Sequence, residues 1–78
     1  MTTEEPIVLK NIDPKTNRAR IYRITNSRDL FGELCLLVEW GRLGRRLRSR
    51  LEPFNDDAAR DKRKEELVAI RQRHGYTS

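Results

Sequence analysis

Between Leu34 and Leu51 two segments with a strand-like period of two flank a turn punctuated by Gly41 and Gly44, and that pattern commits the stretch to β-sheet. Leu34, Leu36, Val38 and Trp40 share one parity, against Cys35, Leu37 and Glu39 on the other. After the turn, Leu47, Ser49 and Leu51 share one parity, and Arg46, Arg48 and Arg50 the other. Side chains of a strand point alternately to its two faces. The second segment is therefore expected to bury its leucines and to hold a comb of guanidiniums toward solvent. Trp40, the only tryptophan, stands at the head of the turn. A cationic comb beside an aromatic suits a polyanion with flat or sugar surfaces, for which nucleic acid is the obvious candidate.

A row of arginines on a strand is ordinarily a solvated face, and a tryptophan near a turn is ordinarily core. Two features argue for more. No acid interrupts residues 41–51, although acids are plentiful elsewhere. The run also uses arginine and never lysine, which favours forked contacts to phosphate. The candidate binding set is Trp40, Gly41, Arg42, Arg45, Arg46, Arg48 and Arg50.

With 78 residues, of which 36% are hydrophobic and 37% charged, the chain makes one small domain with little apolar material to spare. The formal net charge of +5 points to an anionic partner. No apolar run approaches the ~18 residues of a spanning helix, and the first residues do not form a signal peptide. Cys35, the single cysteine, excludes an internal disulfide and lies in an apolar run, where a buried inert thiol is expected. These features together point to the cytoplasm.

Catalysis finds few parts here. His74 precedes Gly75 at the expected end of a helix, where interaction with the helix dipole accounts for it. There is no CxxC, HExxH or P-loop pattern, so neither metal nor nucleotide cofactor has a basis, and Asp56 and Asp57 read as acids of a first helical turn. The chain reads as a non-enzyme.

Residues 1–6 are expected to be a flexible tail and residues 7–76 the domain. Strands are expected over 7–12, 18–26, 33–40 and 45–52. Turn chemistry fills 13–17, and Leu30 and Phe31 dock as a hydrophobic plug in the connection after the second strand. A helix follows Pro53, capped by Asn55 or Asp56 and stopped at Gly75, with Ala59, Leu67 and Ile70 near one stripe and Val68 on its flank. Arg63 and Lys64 interrupt that stripe, so the first half of the helix is expected to be weakly anchored. The fold class is α+β: a mostly antiparallel four-stranded sheet with one C-terminal helix packed on it.

These residues resemble a known family. Trp40-Gly41-Arg42, continued by Leu43-Gly44, is similar to the signature of the WGR domain, found in poly(ADP-ribose) polymerases and in small stand-alone bacterial proteins. Asn17-Arg18-Ala19-Arg20-Ile21-Tyr22 looks like the family's Asn followed by an aromatic-rich strand. The segment Leu30–Leu36 is similar to one in the short bacterial branch, and Pro53-Phe54 and Gly75-Tyr76 fall where the family has its pre-helix and closing residues. The resemblance spans about residues 7–76. Leu47 and Arg48 depart from a second glycine and a glutamine, and Lys64 from an aromatic or aliphatic residue.

What the resemblance implies is a binding module rather than a catalyst. In the polymerases this domain contacts DNA near a strand break; carried over, Trp40 is the residue that packs on a sugar at a DNA end and Arg42 the phosphate or partner contact. Polymerase activity is not implied, because the catalytic domain is absent. Three readings remain open at this point: sequence-independent DNA binding, a protein-interaction adaptor using Trp40 and Arg42, and RNA binding.

Overall fold

A computed structural model describes residues 6–78; all but Pro6 of the expected tail lies outside the described residues. Four strands, β1 (Ile7–Asp13), β2 (Arg18–Arg28), β3 (Leu34–Arg42) and β4 (Arg48–Pro53), form one antiparallel meander in the order β1-β2-β3-β4. The helix α1 (Asp57–Arg73) packs on one face of it. This is the expected α+β architecture.

Each connection has a local cause. Asp13 caps a short 3-10 turn at Pro14–Thr16 by accepting from the Lys15 N–H at 3.0 Å, and Asn17 then takes a left-handed conformation, with φ 54°, to start β2. That conformation is costly for most residues and tolerable for asparagine. Asp56 caps α1 through the Ala59 N–H at 2.7 Å. The helix closes at Gly75, whose φ of 89° turns the chain back, so that Tyr76 enters the core and Thr77 exchanges backbone hydrogen bonds with Lys10 on the β1 edge.

The core is one layer between helix and sheet: Leu9, Tyr22, Ile24, Leu36, Val38, Leu67 and Tyr76 are buried, with Ile7, Trp40, Phe54 and Val68 packed around them. The strand register aligns these residues in rows. Leu9 stands opposite Tyr22, Tyr22 opposite Trp40, and Trp40 opposite Arg48; the next row runs Ile7, Ile24, Val38, Arg50.

The helix departs from expectation in which face it turns inward. Ala59 and Ile70 are exposed. The covered stripe is instead Arg60, Arg63, Lys64, Leu67, Val68 and Arg71, at helical spacing. The first half is anchored to the sheet by Arg63, which binds Glu52 of β4 at 2.9 Å, while the buried Arg60 is neutralised within the helix by Asp57 and Asp61. Arginine stems cover the apolar rows that leucines would cover elsewhere. Beside Lys64, a groove of about 490 Å³ opens between Ile7 and Val68.

Candidate nucleic-acid interface

The turn after β3 is built around Gly41. Its φ is 155°, and a Cβ there would stand 3.1 Å from Leu47 Cδ2 and 3.5 Å from Leu47 Cα, so only glycine lets the returning chain lie against β3. Gly44 turns the loop with φ 80°, and the Leu43 N–H donates to the Ala19 carbonyl at 2.8 Å, tying the loop to β2. Strand β3 thus continues through Arg42, and β4 begins only at Arg48.

This geometry corrects the expected comb. Arg46 lies in the loop, outside β4. Arg48 and Arg50 stand in the rows of Trp40 and Val38, on the side of the sheet that carries the helix, whereas Leu51 is 54% exposed on the opposite side. Only Leu47 is half-buried, against Gly41. The helix runs short of β4, so the row positions on that strand are open to water and arginine takes them without desolvation cost.

Trp40 is half-buried: one part packs on the core and the remainder reaches the surface. The Arg50 guanidinium lies 5.4 Å from its ring centroid, within cation–π range. Arg50 also pairs with Glu52 at 2.9 Å, and Glu52 in turn accepts from Arg63. The hydrogen bond from Arg63 holds the Glu52 carboxyl below its ordinary value of 4.5, with a further contribution from Arg50, against an opposing push from partial burial. The same bond raises Arg63. Arg42, exposed, donates to the Asn17 carbonyl at 3.1 Å and to the Asn17 side-chain oxygen at 3.4 Å. Arg45, Arg46 and Arg48 are exposed.

The structure adds residues that the linear run omits. Arg20 of β2 stands directly opposite Arg42 of β3, and its other neighbour is Asn11 of β1. Arg71 lies over Tyr22 at 4.2 Å and near Tyr76 at 5.7 Å. Asn11 donates to the His74 carbonyl at 3.0 Å and so fixes the helix end to β1. Between them Asn11, Arg18, Arg20, Arg71, His74 and Tyr76 line a cleft of about 290 Å³. The sequence holds one signal for Arg18 and Arg20: they share the parity of Tyr22 and Ile24, and hence the face of Trp40.

An antiparallel sheet with one helix, a glycine-dependent Trp-Gly-Arg turn and arginines gathered mainly on the helix side define a small basic α+β domain. The WGR domain family model matches residues 5–78, and the chain belongs to that family. An uncharacterized protein of Sinorhizobium fredii, y4dW, is 29% identical over 70 residues, which are 90% of this chain and 34% of the relative. The chain thus spans about a third of the length of the curated relative it matches. No solved structure matches it. Among the described residues no helix is long and apolar enough to cross a membrane, and no cluster of His, Cys, Asp and Glu could hold a metal ion.

Proposed function

We propose that this chain is a non-catalytic nucleic-acid-binding module of the cytoplasm, which binds DNA without regard to sequence and favours ends or nicks. The observation that carries the reading is the segregation of charge. Arg18, Arg20, Arg42, Arg48 and Arg50 share the helix side of the sheet with the half-buried indole of Trp40, and Arg71 joins them from the helix end. Arg20 and Arg42 face each other across neighbouring strands, a repulsive pair that a bound phosphate would relieve. Family membership supports DNA as the partner, since WGR domains of poly(ADP-ribose) polymerases contact DNA near strand breaks.

In this reading the open part of Trp40 packs on a sugar or an unpaired base, and Gly41 lets the backbone come close. Arg20 and Arg42 contact a phosphate between them, Arg45, Arg46 and Arg48 others along the turn and β4, and Arg18 and Arg71 others toward the helix end. Arg50 steadies the indole and adds its charge.

The test is affinity for a short duplex across a salt series. With about five phosphates contacted, log K falls against log salt with a slope of about −4 to −5. A slope near zero contradicts the reading, and stronger competition by duplex RNA than by DNA moves it to RNA. The protein-adaptor reading draws on a separate observation: Leu30 and Phe31, expected to plug the core, are 101% and 89% exposed at the other end of the sheet from Trp40.

A further inference from the structure

We infer that the sheet face turned away from the helix is the docking surface for a second copy of this chain, related to the first by a two-fold axis. By strand register Val8, Ile12, Ile21, Leu37 and Leu51 occupy that face, and among the described residues no helix or further strand lies over it, although Cys35 at its loop end is buried. Ile12 is 57% and Leu51 54% exposed. At one end Leu30, Phe31 and Leu51, with Arg28 and Asp29, line a hollow of about 360 Å³. An antiparallel sheet face left to water is ordinarily polar, whereas this one sets aliphatic side chains on both sides of a polar row, Arg23, Glu39 and Ser49, with Lys10, Thr25 and Ser27 among them.

The hollow is preformed. Asp29 accepts from the Phe31 and Glu33 N–H groups at 2.8 and 3.0 Å, Arg28 donates to the Gly32 carbonyl at 2.6 Å, and Gly32 turns with φ 79°. Leu30 and Phe31 are therefore held outward by a hydrogen-bonded loop.

Charge selects a second copy as the occupant. A net charge of +5 would drive two copies apart, but the arginines crowd the helix side. Among the strand residues of the open face the charged ones are Lys10, Arg23 and Glu39. Arg23 and Glu39 pair at 2.9 Å on neighbouring strands. A two-fold contact brings the same patch to itself reversed, and because Arg23 and Glu39 neutralise each other within each copy, Lys10 is the one unbalanced strand charge that the contact must accommodate. A strongly acidic or strongly basic partner would meet no matching field here. Area allows a weak contact: four strands of this length cover about 550 Å² per copy, or about 1,100 Å² in all, which clears the roughly 1,000 Å² of a biological interface and lies just under the range of stable ones. Pairing through the β4 edge is disfavoured by Arg48, Arg50 and Pro53.

Such a dimer turns its two arginine surfaces outward in opposite directions. Resting on the nucleic-acid reading, it would hold two duplexes at once.

Sedimentation equilibrium of the chain alone, without nucleic acid, decides the dimer whatever becomes of that reading. Loaded at up to about 1 mM, which reaches weak association, the wild type is expected at twice its 9.3 kDa. Leu51→Glu and Ile12→Glu, both at exposed positions, are expected to return it to single mass, and whichever keeps the wild-type circular dichroism spectrum is scored. A wild type of single mass throughout, or a dimer that the scored variant leaves intact, overturns the inference. Bridging is read separately, as energy transfer between two labelled duplexes that appears with the wild type and vanishes with Leu51→Glu.

Discussion

Arg42 reaches across the end of the sheet to hold Asn17, hydrogen-bonding both its carbonyl and its side-chain oxygen although 25 positions separate the two. Asn17 is the one described non-glycine residue at positive φ, and its N–H closes the preceding turn on the Pro14 carbonyl at 3.3 Å. The family's signature arginine therefore has a structural duty here besides any binding one. Arg42→Ala is expected to cost about 1 kcal/mol. That corresponds to a fall of about 4–8 °C in Tm for a domain of this size. An unchanged Tm in a thermal melt would show that the interaction contributes nothing to the fold.

Gly41→Ala is expected to be more damaging than its one added methyl suggests. The new Cβ meets Leu47 at 3.1 Å at a φ that side chains rarely adopt, for a cost of about 1–3 kcal/mol. Leu47→Ala in the same chain should relieve the clash but not the backbone strain. Full recovery of stability in the double variant, measured by chemical denaturation, would remove the strain argument.

Glu52 links pH to stability. Its folded carboxyl titrates below 4.5, so the unfolded chain takes up the proton first as pH falls. The stabilisation is fully present above the ordinary value and is lost as pH drops through the lowered one. Glu52→Gln should lower stability by about 0.5–1 kcal/mol at pH 7 and flatten the acid limb below 4.5. It should also strengthen duplex binding several-fold, because Arg50 and Arg63 lose their competing anion. A variant with wild-type acid sensitivity would place that sensitivity elsewhere.

The cleft beside the helix end gives a test that the linear arginine run does not. Replacing Arg20 or Arg71 by Gln should reduce the magnitude of the salt slope by about 0.9 for each phosphate that is no longer neutralised. Arg73→Gln, at the exposed helix end outside the cleft, should change it less. Equal effects from all three would mean that overall charge, not the cleft, governs binding.

Strands, turns and helix are legible in the sequence because their signals are local: period-two alternation in β3, Asp13 and Asp56 as caps, and glycines at the turns. Which face a strand turns to the helix is not local. Alternation in β4 says that Arg48 and Arg50 share a side, but only register with Trp40 and Val38 says which side. The helix face escapes the sequence for a related reason. Counting apolar residues favours Ala59 and Ile70, while the packed stripe uses the stems of Arg60, Arg63 and Arg71, which hydropathy scores as surface. Arg71 enters the site because the inward stripe of the helix sets it over Tyr22, a tertiary fact with no sequence marker. Leu30 and Phe31 look like core by composition, and the Asp29 loop instead holds them in water.

Contact of Trp40 and the surrounding arginines with DNA is directly measurable, because Trp40 is the single tryptophan. Its fluorescence would be followed during titration with nicked, blunt-ended and intact duplexes at two salt concentrations. A salt-sensitive change in Trp40 emission is expected, largest with nicked or blunt-ended duplex and weakened by Arg20→Gln. Absence of any fluorescence change or binding at low salt with all three duplexes would contradict it.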